Sequence, residues 1–216
     1  MIKAKNIYYS YGELEVLKGV NLDIKKGEFV SIVGASGAGK TTLLQLLGGL
    51  EKIQKGTIVI NNNNLDLLTE NSLANFRNQE IGFVFQFHNL LTEFTALENI
   101  FLPALIAGNT EKKAKKKAYE LLETLNMIER KDHKPDELSG GEQQRIAVAR
   151  ALINSPSIIL ADEPSGNLDS KNADELHNLF LKLNKEINQT FLVITHNNNL
   201  ANLANRKIEM KDGKII

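Results

Sequence analysis

One stretch of the sequence restricts the fold more than any other, namely the nine residues G-A-S-G-A-G-K-T-T from Gly34 to Thr42. An apolar run, Phe29 to Val33, precedes these residues, and a leucine-rich run follows them. That arrangement predicts a strand, a glycine loop and a helix, in this order. Because glycine has no Cβ, the backbone can turn its N–H groups inward, and with the helix N-terminus they form a nest for phosphate oxygens. The stretch therefore predicts a site for a nucleoside triphosphate.

Two side chains of the glycine loop have chemistry suited to that ligand. Lys40 is expected to reach the β- and γ-phosphates as a positive charge, and Thr41 is expected to offer its hydroxyl to Mg²⁺. The alternative, a glycine-rich turn with a surface lysine, is disfavoured because a predicted strand and a predicted helix flank the loop. The loop residues predicted to hold the nucleotide are Gly34, Ala35, Ser36, Gly37, Ala38, Gly39, Lys40, Thr41 and Thr42.

The composition narrows the class of protein. A chain of 216 residues, of which 42% are apolar, is enough for one domain with a substantial core. Lys and Arg total 26, as do Asp and Glu, so no basic excess favours a nucleic-acid partner, and the lysines between residues 112 and 117 are interpreted as a solvated helix face. The sequence has no cysteine, which excludes disulfides and thiolate metal sites. Without a signal-peptide core or an apolar run of about 18 residues, we expect a cytoplasmic protein.

The residues before the glycine loop predict a β layer. Residues 2–33 alternate short apolar runs with turn signals such as Tyr11-Gly12. Tyr11 is the one aromatic residue in this region with a possible ligand role, stacking on a purine, although a tyrosine in such a pattern more often packs in the core or at its rim. After the loop, Gly48-Gly49 predicts the end of the leucine-rich helix.

The middle of the chain predicts a helical subdomain. Apolar residues recur every three or four positions across residues 87–136, which is typical of helices with one buried face. We therefore expect one domain, residues 1–216, with a helical subdomain at about residues 87–156 inserted into an α/β core. Pro103 and Pro135 are expected to flank the first part of this subdomain.

Polar side chains follow three of the predicted buried strands. They are Gln86, the pair Asp162-Glu163, and His196, the one histidine of four at the end of a strand. Because α/β sheets bind ligands at the carboxyl ends of their strands, these positions suit a site. Asp162 can hold Mg²⁺ through its water shell, and Glu163 can orient and deprotonate a water molecule. The alternatives are an ordinary exposed glutamine and a pair of acids capping a surface strand; the phosphate loop in the same chain favours the functional interpretation.

A further glycine-containing stretch, Leu138 to Arg145, predicts a helix start. Ser139 and Glu142 have the spacing of a capping box, and Gly140-Gly141 between them leaves the N–H groups of the helix N-terminus open. An open helix N-terminus can bind an anion. Capping boxes are common, so a plain capped helix is the alternative.

Together these stretches resemble the ATP-binding-cassette ATPases over the whole chain. The resemblance implies an α/β fold, a P-loop NTPase (RecA-like) core with an N-terminal antiparallel β layer and an inserted α-helical subdomain, with ATP and Mg²⁺ as cofactors. The stretches that carry it, in chain order, are Tyr11, the glycine loop, Gln86, Leu138-Ser139-Gly140-Gly141-Glu142, Asp162-Glu163, Leu168-Asp169 and His196.

The resemblance also implies a role for each matching residue. Tyr11 would stack on adenine. Thr41, Gln86 and Asp162 would bind the Mg²⁺ ion. The catalytic residues would be Glu163, acting on the attacking water, and His196, contacting the γ-phosphate. The four residues Ser139, Gly140, Gly141 and Glu142 would close over ATP held by a second copy of the chain, so that a homodimer encloses two ATP molecules.

Two stretches resemble a narrower group within this family. Phe85 to Asn99 and Ala161 to Asp169 are similar to the ATPase subunits of lipoprotein-releasing transporters and their macrolide-exporter relatives. Departures are small: Ser165 stands where threonine is usual, and Asn197 stands where aspartate is usual. The implied function is ATP-driven release of lipoproteins from the inner membrane toward the outer membrane. A macrolide or peptide exporter, and a cell-division ATPase that regulates cell-wall cleavage without transport, remain alternatives, whereas a DNA-repair ATPase is disfavoured.

The same resemblance implies transmembrane permease subunits as partners, at the cytoplasmic face of the inner membrane. We expect them to dock near Gln86 to Leu97, where apolar residues follow Gln86. A groove for a short helix of the permease is one interpretation of these apolar residues, and ordinary buried core is the other. The residues concerned are Phe87, Leu90, Leu91 and Phe94.

Overall fold

The computed structural model describes residues 1–216. The strands are β1 (Ile2–Tyr11), β2 (Leu14–Ile24), β3 (Phe29–Val33), β4 (Lys55–Ile60), β5 (Asn63–Asn64), β6 (Ile81–Phe85), β7 (Ile158–Asp162), β8 (Thr190–Ile194), β9 (Arg206–Lys211) and β10 (Lys214–Ile215). The helices are α1 (Lys40–Leu47), α2 (Glu70–Glu80), α3 (Ala96–Ile106), α4 (Glu111–Thr124), α5 (Gly140–Leu152), α6 (Ser170–Ile187) and α7 (Asn198–Leu203).

The predicted β layer is a sheet of four antiparallel strands in the order β2-β1-β4-β5. Its apolar face packs on helix α1, which is short but contributes four fully buried leucines to the shared core. Each such side chain stabilises the fold by about 2 kcal/mol, so the helix after the glycine loop is held between the β layer and the second sheet. The four leucines are Leu43, Leu44, Leu46 and Leu47.

The second sheet has six strands in the order β10-β9-β3-β8-β7-β6 and is parallel from β9 to β6. Its register aligns the carboxyl ends of neighbouring strands, because Phe85 pairs with Asp162 and Asp162 with Ile194. The central strands are buried on both faces, as expected for parallel strands. The residues that follow β3, β6, β7 and β8 therefore share one edge of the sheet.

A separate hydrophobic cluster of 14 buried residues holds helices α3, α4 and α5 together. Pro103 lies inside α3 rather than at a boundary, so the expectation that it flanks the helical section was wrong. A proline in a helix forfeits one backbone hydrogen bond. Helix α3 nevertheless continues, because residues on both sides of the proline, Ile100 and Ala104 among them, are buried.

Capping residues define several helix starts. Ser139 accepts a hydrogen bond from the N–H of Glu142, whose carboxylate accepts one from the N–H of Ser139, so the predicted capping box is confirmed. Thr95 and Glu98 form the same arrangement at α3. Helix α2 was not expected from the sequence: it begins after Thr69 but buries none of its residues, so its hydrophobic periodicity is weak. None of the helices combines the length and hydropathy that crossing a membrane requires.

Candidate active site

The glycine loop connects β3 with α1 and wraps around the side chain of Lys40. The Nζ atom donates to the carbonyl oxygens of Gly34 and Ala35, each at 2.8 Å. Gly39 has φ +96, and a Cβ there would lie 2.8 Å from a methyl group of Leu17, so glycine alone fits without displacement. The loop thereby brings backbone N–H groups, an ammonium group and a helix N-terminus to one place, which is an anion-binding arrangement.

Thr41 and Asp162 meet across the sheet edge. The hydroxyl of Thr41 donates to Oδ2 of Asp162 at 2.9 Å, joining the first turn of α1 to the end of β7. Burial raises the pKa of Asp162, and the nearby Glu163 carboxylate raises it further, whereas Thr41 and Lys40 oppose the shift. A desolvated carboxylate beside a hydroxyl is a favourable environment for a hard cation, because a cation stabilises the ionised form.

Glu163 and His196 form the second pair at this edge. The Glu163 carboxylate lies 2.9 Å from Nδ1 of His196 and accepts the backbone N–H of His196 at 3.2 Å. Glu163 has the left-handed backbone conformation, with φ +46. Such a conformation costs a non-glycine residue about 1–3 kcal/mol and commonly marks functional sites. The glutamate is therefore held in a defined position directly after the aspartate.

These groups line one cavity of about 520 Å³ at the carboxyl edge of the parallel sheet. It brings together 11 of the predicted site residues, and Leu14, Val16 and Ile194 provide apolar parts of its wall. The predicted residues that line it are Tyr11, Gly34, Ser36, Gly37, Gly39, Lys40, Thr41, Thr42, Asp162, Glu163 and His196.

Gln86 is positioned differently from the residues of this cavity. It follows β6, and its side-chain amide donates to Oδ1 of Asn167 at 2.8 Å. Asn167 in turn donates to the carbonyl of Gln86 at 3.3 Å. Gln86 is thus tied to the loop that follows Glu163, and its role in holding a cation stays a prediction.

The stretch Ser139 to Glu142 lies outside the cavity, at the N-terminus of α5. Gly141 packs so closely on Asn172, in the first turn of α6, that a Cβ would collide with its amide. Glu142 accepts a hydrogen bond from Arg130 at 2.8 Å. Arg130 first, and then the N–H of Ser139, lower the pKa of Glu142 from 4.5 to about 2. In one copy of the chain this stretch lies away from the cavity of the phosphate loop, with Ser139 and Gly140 exposed and Gly141 buried.

Apolar side chains are exposed just after Gln86. Phe87 is 71% exposed, Leu91 41% and Phe94 39%, whereas Leu90 packs partly against the core of the helical subdomain. The buried-core interpretation therefore holds only for Leu90. Arg150 on α5 donates to the carbonyl of His88 at 2.7 Å and also to that of Asn89, so this apolar segment is fixed to the helical subdomain.

Sequence reasoning missed three residues that hold the site in place. They are Asn167, which pairs with Gln86; His177, which is buried against Ser165; and Arg150, which binds the segment after Gln86. A signal existed for His177 alone, because a histidine that interrupts the apolar face of a helix needs a polar partner. The contacts of Asn167 and Arg150 join residues 60 or more positions apart, and the pattern of neighbouring residues in the sequence does not reveal such contacts.

The fold and the cavity define a phosphate-loop nucleoside triphosphatase with an inserted helical subdomain. Comparison with known families narrows the class of protein further. The profile of the family described as ABC transporter matches residues 17–166. The chain belongs to the ABC transporter family, as an ATPase subunit with the predicted fold.

Relatives of known name match over the full length. The lipoprotein-releasing system ATP-binding protein LolD of Bacteroides fragilis is 56% identical over 100% of both chains. The LolD protein of Porphyromonas gingivalis is 56% identical over 99% of this chain and 97% of its own length. Among solved structures, the ATP-binding cassette MJ0796, a dimer in a post-hydrolysis state bound to ADP and Pi, superposes with a TM-score of 0.90. It is 44% identical, and the match covers 100% of this chain and 96% of the cassette.

Proposed function

We propose that the chain is the ATP-hydrolysing subunit of a membrane transporter that releases lipoproteins from the inner membrane toward the outer membrane. The observation that carries this proposal is the 56% identity over the full length to two lipoprotein-releasing system ATP-binding proteins. Of the two stretches that resemble this group, Ala161 to Asp169 contains Asp162 and Glu163 of the cavity, and Phe85 to Asn99 begins at the end of the neighbouring strand β6.

ATP binding is assigned to the cavity at the sheet edge. Tyr11 is 48% exposed, and its ring lies beside the loop, where it can stack on the adenine. The loop N–H groups bind the phosphate oxygens, and Lys40 leaves the carbonyls of Gly34 and Ala35 to contact the β- and γ-phosphates. Exchanging two neutral acceptors for charged oxygens favours this movement, since hydrogen bonds between ionised groups are about twice as strong.

Mg²⁺ fits the pair Thr41 and Asp162. A hydroxyl and a carboxylate that already approach to 2.9 Å provide two hard oxygen donors, and phosphate oxygens of ATP supply others. The raised pKa of Asp162 reflects a buried charge without a full partner, which a divalent cation would provide. Gln86 is proposed as a further oxygen ligand that reaches the ion after leaving Asn167. When bound, the ion neutralises charge on the phosphates and orients them.

Hydrolysis is assigned to Glu163 and His196. A water oxygen attacks the γ-phosphorus in line with the bond to the β–γ bridging oxygen, which breaks as the new P–O bond forms. The water proton passes to the carboxylate of Glu163, and the products are ADP and inorganic phosphate. His196, whose Nδ1 lies 2.9 Å from the Glu163 carboxylate, orients that carboxylate and contacts the γ-phosphate. Lys40 and the loop N–H groups stabilise the charge on the phosphate oxygens.

A homodimer completes the site. Ser139 to Glu142 lie outside the chain's own cavity and present a helix N-terminus with two glycines, which suits an approach to the phosphates bound by a second copy. The similarity to a dimeric cassette bound to ADP and Pi supports this arrangement. ATP would join the two copies, and hydrolysis would separate them.

The permease is proposed to dock on the exposed apolar segment after Gln86, at the cytoplasmic face of the membrane. Phe87, Leu91 and Phe94 present apolar surface to a short helix of the permease. Because Gln86 connects this segment to the loop of Glu163 through Asn167, a shift of the segment and a change of nucleotide would influence each other.

The test is to purify the chain from its native membrane with the proteins bound to it and to reconstitute the complex in liposomes loaded with a lipoprotein. ATP should release the lipoprotein to a soluble carrier, and the complex with Lys40→Ala should not. Efflux of a macrolide without lipoprotein release, or a partner that transports nothing, would replace this proposal with one of the two alternatives.

A further inference from the structure

A buried hydrogen bond lies beneath the loop that carries Glu163. His177 is on α6 and is 2% exposed, and its Nε2 lies 3.0 Å from the hydroxyl of Ser165, which is 7% exposed. The neighbours of His177 on this helix face are the buried Ala173 and Phe180. An imidazole in such surroundings is costly to bury unless it is hydrogen-bonded, and Ser165 supplies that bond.

Ser165 belongs to the turn that fixes the backbone of Glu163. The N–H of Gly166 donates to the carbonyl of Glu163 at 3.0 Å, and the N–H of Leu168 donates to the carbonyl of Ser165 at 3.2 Å. Pro164 restricts φ between them. Glu163 has φ +46, a conformation that persists only where the surrounding structure maintains it. Ser165 is thus two residues from a strained glutamate and is anchored from the interior.

On the solvent side, the Glu163 carboxylate is held less firmly. His196, which contacts the Glu163 carboxylate, has a side chain that is 75% exposed. Few other contacts fix the imidazole, so it gives the carboxylate limited support. Burial lowers the pKa of His177, in part offset by Asp174, so the imidazole is neutral at neutral pH and serves as a hydrogen-bonding group rather than a charge. On the interior side, the turn is held by the side-chain hydrogen bond between His177 and Ser165, in addition to the backbone bond from the N–H of Glu163 to the carbonyl of Ile194 at 2.9 Å.

We propose that His177 is a positioning residue for ATP hydrolysis: by its hydrogen bond to Ser165 it holds the turn after Glu163 and keeps the carboxylate where the attacking water binds. The proposal rests on the role assigned above to Glu163. His177 does not line the nucleotide cavity, so its loss should affect the rate of the chemical step and leave ATP binding intact.

Three variants of the full chain test this. His177→Met fills the site without a hydrogen bond, His177→Gln keeps a hydrogen-bonding group at similar reach, and Ser165→Ala removes the partner. We expect His177→Met and Ser165→Ala each to lower kcat about 10- to 100-fold, the effect of a small misplacement of a reacting group. KM for ATP should stay within about twofold, and His177→Gln should recover most of the activity.

A double variant and a control separate positioning from general stability. His177→Met combined with Ser165→Ala should be no slower than either single variant, because both remove one contact. Leu176→Val, at the neighbouring buried position, should lower Tm comparably and retain wild-type kcat. Wild-type kcat in folded His177→Met, or an equal loss of kcat in Leu176→Val, overturns the proposal. If His177→Met does not fold, wild-type kcat in Ser165→Ala overturns it.

Glu163→Gln serves as the reference. If Glu163→Gln still hydrolyses ATP, the proposed role of Glu163 is wrong, and so is the basis of this inference. If Glu163→Gln is inactive while Ser165→Ala and His177→Met are fully active, only the role of His177 is wrong.

Discussion

Gln86 and Asn167 pair in both directions: the Gln86 side chain donates to Oδ1 of Asn167 at 2.8 Å, and the Asn167 side chain donates to the Gln86 carbonyl at 3.3 Å. Gly166 packs against the same amide, since a Cβ there would lie 2.9 Å from Nε2 of Gln86. Residues 81 positions apart thereby join the apolar segment after β6 to the loop that carries Glu163. The pair therefore links the proposed permease surface to the loop of the proposed base by hydrogen bonds.

Asn167→Ala removes both hydrogen bonds of this pair. Because the pair is exposed, we expect the free energy of unfolding to fall by only about 1 kcal/mol. The kcat for ATP should fall about tenfold, since the loop of Glu163 loses a fixed neighbour. Steady-state ATPase assays and urea unfolding measure the two effects. Asn178→Ala on the exposed side of α6 is the control, and an equal change of kcat in both variants would contradict the connection.

Lys40→Ala removes the cation of the phosphate loop. The lysine's bonds to ionised phosphate oxygens are each worth about 1.5–3 kcal/mol, so ATP affinity should fall at least about tenfold and turnover should be lost. Isothermal titration calorimetry measures the affinity, with Lys185→Ala near the end of α6 as a control of equal charge. Unchanged ATP binding by Lys40→Ala would show that the loop has been wrongly assigned.

Glu163→Gln keeps the shape of the side chain but cannot accept a proton. Hydrolysis should slow at least about 100-fold, the usual contribution of a general base, while ATP still binds. The closed dimer should then accumulate, visible as an earlier peak in size-exclusion chromatography with ATP and Mg²⁺. Glu186→Gln on the surface should behave as wild type; a Glu163→Gln protein that stays monomeric with bound ATP argues against closure by nucleotide.

Leu91→Asp places a charge in the exposed apolar segment. Burying an unpaired carboxylate in an interface is strongly unfavourable, so the variant should no longer co-purify with the permease. ATP binding by the isolated chain should stay within about twofold, because Leu91 does not line the nucleotide cavity. Circular dichroism verifies the fold, and Ile187→Asp, at another exposed apolar residue, is the matched control. Normal assembly by folded Leu91→Asp would exclude this surface.

Glu142 predicts an acid-dependent contribution to stability. Its pKa is about 2 in the folded chain against an ordinary value of 4.5, so its ionised form stabilises the fold above pH 4.5. That stability is lost as pH falls from 4.5 to about 2. Arg130→Met removes the main cause, so the difference in the free energy of unfolding between pH 7 and pH 3 should shrink. Urea titrations measure it, and a carboxyl titration of Glu142 by NMR gives its pKa directly; an unaltered pKa would refute the assignment to Arg130.

Local pattern was sufficient for the elements that place the site. The glycine loop, the polar residues after β7 and β8, and the capping box at Ser139 each need only a few neighbouring residues to be recognised, and the structure places them as expected. Helix α2 was not predicted, because a helix that buries none of its residues has little hydrophobic periodicity to detect. The prediction that Pro103 marks a boundary was wrong, because a buried helix can tolerate a proline that an isolated helix would not.

The left-handed backbone of Glu163 and the partner of Gln86 could not be predicted. Each depends on contacts between residues that are distant in sequence: Glu163 with Ile194, whose carbonyl accepts its N–H at 2.9 Å, and Gln86 with Asn167. Composition and periodicity determine which residues are buried or helical, but not which side chains meet across a sheet edge.

The pairing of β3 has a consequence for the synthesis of the protein. The strand that leads into the phosphate loop lies between β8 and β9, both formed by the last part of the chain, and pairs with nothing made earlier. A nascent chain that has already exposed the glycine loop to the cell therefore lacks the partners that hold it. At about 5–20 residues per second, translation leaves the loop without its sheet for roughly ten seconds or more. We therefore expect the nucleotide site to form only after β8 and β9 have been synthesised, close to the end of translation.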